Sequence, residues 1–213
     1  MSDAIKVMLV DDHAVVRAGY QMLLKNSPDL EVIAEADSGE EAYRLHSVHN
    51  PDVIVMDLSL PGISGLETIK RINARDSKSK ILVFSMHEEI IFVEQALQAG
   101  ASGYITKSSD PQLLVEAIKK LSNDEKYIDP ELAQQLAIEK SRGQDSPLSD
   151  FSTREFEIFC MLAEGLNTSE VAKKLSLSYK TVANYSTQIK TKLDVATVAD
   201  IARIAIRYNI IQA

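Results

Sequence analysis

The chain has 213 residues, enough for two domains that each bury a core, with 45% hydrophobic and 25% charged residues. No apolar run reaches membrane length, and the run at 5–10 meets Asp11 and Asp12 too early for a signal peptide, so a cytoplasmic protein without a membrane partner is expected. The net charge of −8 is uneven: residues 1–147 carry −9, residues 148–213 carry +1, and the window 171–192 holds five lysines and no acid, which excludes a uniformly acidic surface.

The first 123 residues alternate β-rich runs with amphipathic stretches. Strands are predicted at 5–10, 31–35, 53–57, 81–85 and 103–106, and helices at 14–26, 38–49, 65–76, 88–99 and 110–122. The apolar runs at 53–56 and 81–84 suit strands buried on both faces. Five strand–helix alternations predict a doubly wound, five-stranded parallel sheet. Ligands of such sheets bind beyond the carboxyl ends of the strands. Those ends carry Asp11 and Asp12, Asp57, Ser85 and Lys107.

Residues 124–147 change character, with Pro130, Gly143 and Pro147, and predict a linker containing a helix at 130–141. An all-α domain follows at 148–213, with helices at 152–164, 168–175, 179–193 and 197–208. Gly165 fits a C-cap, and Thr168 and Ser178 fit N-caps. The single cysteine, Cys160, has no partner for an internal disulfide and reads as a small helix-core residue. The four histidines show no zinc spacing, and none is given a catalytic role.

The clustered acids suggest chemistry. Three carboxylates in one crevice repel one another unless they share a cation, and Mg²⁺ takes few carboxylates while leaving room for a phosphoryl oxygen. Asp57 is then the nucleophile toward phosphorus, Lys107 offsets charge on the transferring oxygens, and Ser85 donates a hydrogen bond to them.

The segments VDDH at 10–13, MDLSLPGISGLE at 56–67, Ser85, AGASGYITK at 99–107 and Pro111 resemble a response-regulator receiver domain. The resemblance implies a flavodoxin-like fold. Asp57 would accept phosphate from the phosphohistidine of a sensor histidine kinase. Asp12 would be a direct Mg²⁺ ligand, Asp11 would act mainly through metal-bound water, and the Ser59 carbonyl would complete the protein's share of the shell. Ser85 becomes the switch hydroxyl, Lys107 the phosphoryl partner, and Tyr104 the strand-5 aromatic that turns inward on activation. The family usually holds the bond after this lysine cis. A cis Lys107–Ser108 bond is therefore expected, at a cost of about 3–4 kcal/mol without proline.

TRE at 153–155, AEGLNTSEVAKKL at 163–175, SYKTV at 178–182 and IKTKL at 189–193 resemble the LuxR-type helix-turn-helix of the NarL/FixJ response regulators. Residues 179–193 would be the recognition helix in the major groove of double-stranded DNA. Lys180, Thr181, Lys190 and Lys192 are candidates for phosphate contacts, and Ala183, Asn184, Thr187 and Gln188 for base edges. The last helix either dimerises on paired half-sites or closes the four-helix core. Tyr185 stands where relatives commonly have histidine, so their operator sequences do not carry over.

The expected protein is a transcriptional response regulator rather than an enzyme, a homodimer when phosphorylated or DNA-bound, with RNA polymerase as a further partner. A phosphorylation-independent regulator is the alternative. A phosphohydrolase using Asp57 is less favoured, because Ser59 stands where such enzymes place a second acid. A nucleotide module lacks its glycine-rich loop after strand 1.

Overall fold

The computed structural model describes residues 4–141 and 146–211. Gly143, expected in the linker, lies outside the described residues. The chain divides into two compact units at Ile138/Glu139.

In the first unit, strands β1 (Ile5–Val10), β2 (Leu30–Ala36), β3 (Val53–Met56), β4 (Ile81–Ser85), β5 (Gly103–Thr106) and β6 (Tyr127–Ile128) form one parallel sheet in the order β2-β1-β3-β4-β5-β6. Helices α1 (Ala14–Lys25), α2 (Gly39–His49), α3 (Gly65–Arg75), α4 (Ile90–Ala99) and α5 (Pro111–Ser122) connect successive strands. The strand order reverses between β1 and β3, and this opens a crevice at their carboxyl ends. Every residue of β3 and β4 is buried, as their uninterrupted apolar runs require. Val7, Leu9, Val55, Leu82, Ile105 and Ile118 belong to one buried cluster beneath the crevice.

The sheet has six strands where five were expected. Tyr127 and Ile128 pair with Gly103 and Tyr104, a two-residue strand too short to display any alternation in the sequence. The Lys107–Ser108 bond is trans, because the described residues contain no cis peptide bond, so the cis expectation is overturned. Physically, Ser108 lacks the tertiary amide by which proline lowers the cost of the cis form.

Local chemistry explains the loop after β3. Ser64 caps α3 by accepting the Glu67 amide at 3.2 Å. A Cβ on Gly65 would sit 2.1 Å from the Asp57 carbonyl oxygen, so only glycine lets α3 start against the end of β3.

Helix α6 (Pro130–Ser141) begins in the first unit, where Asp129 accepts the Glu131 amide at 3.0 Å. The second unit holds α7 (Thr153–Ala163), α8 (Thr168–Lys174), α9 (Tyr179–Lys192) and α10 (Val198–Arg207). Its core is Phe151, Phe156, Phe159, Val171, Val182, Ile189, Ile201 and Ala205, all essentially inaccessible. Gly165, at φ +93°, directly follows α7 and its C-cap Glu164. Thr168 is not the cap of α8. Asn167 is, because its side-chain oxygen reaches the Ser169 and Glu170 amides while Glu170 returns a bond to the Asn167 amide. Ser178 does cap α9, accepting the Thr181 amide. Cys160 is only half-buried on α7.

Candidate functional site

The sheet itself positions the acidic crevice. The Asp11 amide donates to the Ala36 carbonyl at 3.1 Å, the Asp57 amide to Val10 at 2.9 Å, and the Lys107 amide to Ser85 at 2.8 Å. Each residue thus continues a hydrogen-bond ladder one step past its strand, which fixes its backbone and leaves its side chain at the crevice.

The Lys107 ammonium donates to Asp11 Oδ2 and Asp57 Oδ2, both at 2.6 Å. The two acids are buried, at 5% and 4% exposure, so their charges face little solvent screening. Burial disfavours the Lys107 charge, but the bonds to Asp11 and Asp57 outweigh it and hold the ammonium above its usual range. Its contribution to stability is therefore complete below the ordinary lysine value of 10.5 and is lost only as pH rises through the raised one.

Asp12 sits beside this bridge rather than in it. Its Oδ1 lies 2.7 Å from His13 Nδ1, and its side chain is one-third exposed. Asp11, Asp12 and His13 offer ligand atoms within 4.8 Å of one another. The Ser59 amide donates to Asp57 Oδ1 at 3.3 Å. The buried donors are all carboxylate oxygens, the set a hard divalent ion such as Mg²⁺ takes.

Ser85 is fully buried, and its hydroxyl accepts the His87 amide at 3.3 Å. Tyr104 is fully buried too, with its hydroxyl donating to the His87 carbonyl at 2.8 Å. Burial, only partly offset by the Ser85 hydroxyl, pushes its phenol far up.

Sequence reasoning missed Arg17. Arg17 donates to the Asp11 carbonyl at 2.5 Å and to Glu35 at 3.3 Å, which pins the loop after β1. A helical arginine reaching back six residues leaves no periodic signal. His13, which follows the acid pair directly in the sequence, does lie against Asp12.

In the second unit α9 turns Val182, Ser186 and Ile189 inward. Lys180, Asn184, Thr187 and Gln188 are exposed, and Thr181, Ala183 and Lys190 are partly so. Thr187 Oγ1 donates to the Ala183 carbonyl at 3.0 Å, which occupies its hydroxyl proton and leaves its methyl group for contact. Lys192 is engaged elsewhere: its ammonium donates to Glu155 at 2.8 Å and to the Asp150 carbonyl at 3.2 Å, and lies over the Phe151 ring. Burial raises the Glu155 carboxyl, yet Lys192 and Ser152 more than reverse this and leave it below its usual range. Tyr179, overlooked in the sequence, stands exposed at the first position of α9. On α10, Ile201 and Ala205 close the core against α7 while Val198 and Ile206 remain on the surface.

Comparison with known proteins adds an independent line. The family model described as "Response regulator receiver domain" matches residues 7–119, and that described as "Bacterial regulatory proteins, luxR family" matches residues 149–205. The chain is 39% identical to the transcriptional activator protein ExaE of Pseudomonas putida, over 97% of this chain and 98% of that one. A crystal structure of a LuxR-family two-component response regulator from Aurantimonas sp. SI85-9A1 is 46% identical, covering 66% of this chain and 99% of that one with a TM-score of 0.63. RcsB of Salmonella enterica serovar Typhimurium, bound to promoter rprA in the presence of phosphomimetic BeF3-, is 25% identical with a TM-score of 0.73, covering 95% of this chain and 98% of that one.

Proposed function

This chain belongs to the response regulators that join a receiver domain to a luxR-type DNA-binding domain, and from that premise we propose that phosphorylation of Asp57 by a sensor histidine kinase controls its DNA binding. It is a DNA-binding transcription regulator. The observation that carries the proposal is the Lys107 ammonium held at 2.6 Å from both Asp11 and Asp57.

The reaction this arrangement supports is an exchange of bonds at phosphorus. An Asp57 carboxylate oxygen bonds to the phosphoryl group of a phosphohistidine as the phosphorus–nitrogen bond breaks, and the imidazole keeps that electron pair. Lys107 moves from neutralising the carboxylate to neutralising the phosphoryl oxygens, and Ser85 donates to one of them. Asp11, Asp12, Asp57 and the Ser59 carbonyl would hold Mg²⁺, which supplies charge neutralisation at the same oxygens when bound.

For DNA, Lys180, Thr181 and Lys190 are the phosphate-contact candidates, and Ala183, Asn184, Thr187 and Gln188 read base edges. Lys192 leaves this set, because its partner is Glu155. The domain limits of 1–123, 124–147 and 148–213, a homodimer through Val198 and Ile206, RNA polymerase as a later partner and a cytoplasmic location complete the reading. No helix among the described residues is long and apolar enough to cross a membrane.

The test is direct. Incubation with acetyl phosphate and Mg²⁺, followed by peptide mass mapping, should add one phosphoryl group to the Asp57 peptide of the wild type and none to Asp57→Ala. Unmodified wild type, or modification at another residue, overturns the assignment.

A further inference from the structure

Immediately beyond Lys107 lies a branched chain of hydroxyls. Buried Thr106 has its Oγ1 at 2.8 Å from both Ser108 Oγ and Ser109 Oγ. Ser108 donates to Glu88 in the loop before α4 at 2.6 Å, and Ser109 donates to Asp129 at 2.5 Å. Asp129 is itself buried, and its other carboxylate oxygen accepts the Glu131 amide in the first turn of α6. Its amide donates to the Tyr104 carbonyl at 2.8 Å.

The protons in this chain are limiting. Each serine has a single hydroxyl proton, and both are committed to carboxylates. Thr106 then has one proton for two serine acceptors, so it serves either the branch to Glu88 or the branch to Asp129. Two mutually exclusive bonds from one buried donor are a bistable element. Its pivot, Thr106, adjoins the lysine that holds Asp57, and one of its ends fixes the start of the helix leading out of the first unit.

We propose that Ser109 is a positioning residue that links the Lys107 loop, through Asp129, to the start of α6, so that a change at Asp57 alters how firmly α6 is capped. The inference rests on Asp57 being the phosphoacceptor. Drawing Lys107 toward a phosphoryl group displaces the backbone at Thr106, shifts its proton between the two branches, and strengthens or weakens the Ser109–Asp129 arm.

Amide hydrogen exchange of residues 131–135, measured before and after acetyl phosphate with Mg²⁺, tests it, with the mass of the Asp57 peptide followed in the same samples. In the wild type, exchange should change by about fivefold on phosphorylation, the effect of one hydrogen bond. Ser109→Ala should become phosphorylated to the same extent yet lose that change, and Ser109→Thr, which keeps the hydroxyl, should restore it. A purely structural serine would alter exchange before and after phosphorylation alike. An equal phosphorylation-dependent change in Ser109→Ala, or none in fully phosphorylated wild type, overturns the proposal. An unchanged Asp57 peptide mass instead brings down the phosphoacceptor reading, and this inference with it.

Discussion

Two buried carboxylates sharing one ammonium set the energetics at the residue scale. Lys107→Met leaves Asp11 and Asp57 facing each other without their common partner, which should cost about 3 kcal/mol of stability. Urea unfolding at neutral pH without divalent cations measures this, and added Mg²⁺ should narrow the gap to wild type. A variant of unchanged stability would mean that the bridge is energetically neutral. His46 makes a separate prediction, far from the chemistry. It is buried, Nε2 lies 2.9 Å from Ser79 Oγ, Nδ1 has no hydrogen-bond partner among the described residues, and Asp76 and Arg75 act on it with opposite signs. Burial dominates and lowers its pKa below 6.5, so the unfolded chain takes up the proton first and stability falls as pH drops through 6.5. Melting temperatures at about pH 7.5 and pH 5.5 should diverge more for wild type than for His46→Gln, other groups being common to both. The residue types of the pocket were legible because Asp57 and Lys107 end apolar runs. Which acid of the pair would turn inward was not, since Asp11 and Asp12 are adjacent and only backbone direction separates them.

Elements were legible in proportion to their periodicity. The strands at 5–10, 81–85 and 103–106 stand where alternation and apolar runs place them, and α6 covers 130–141 as its composition suggests. Two-residue β6 left no pattern, and Asn167 was passed over because the threonine beside it is an equally good cap type. The entry to α3 is tightly constrained. Gly65→Ala drives a Cβ into the Asp57 backbone, where neither partner is a flexible side-chain end. It should cost about 2–3 kcal/mol and slow phosphorylation of Asp57, as chemical denaturation and acetyl phosphate labelling would report. On α9 the ion pair of Lys192 with Glu155 separates two lysines that look alike in sequence. Lys180→Ala should weaken binding to all DNA sequences and flatten the salt dependence, whereas Lys192→Ala should chiefly lower the stability of the second unit. Fluorescence anisotropy across a salt series, paired with thermal melts, distinguishes them, and a salt slope altered only in Lys192→Ala would reverse the assignment.

For the whole molecule, an acidic receiver unit is joined to a unit with a local lysine face, and the division of labour follows from where the charges lie. Phosphorylation replaces the single negative charge of the Asp57 carboxylate with a phosphoryl charge of about −1.5 to −2, a net gain of about one negative charge at most in the half already carrying the excess of acid, so its effect on DNA must pass through a structural change rather than through added attraction. The measurement that tests this most directly compares DNA capture and association state for wild type and Asp57→Ala, each with and without acetyl phosphate and Mg²⁺. Wild type should associate and capture more genomic DNA only when the phosphodonor is present, and Asp57→Ala should not respond. Equal responses from the two proteins would contradict control through Asp57.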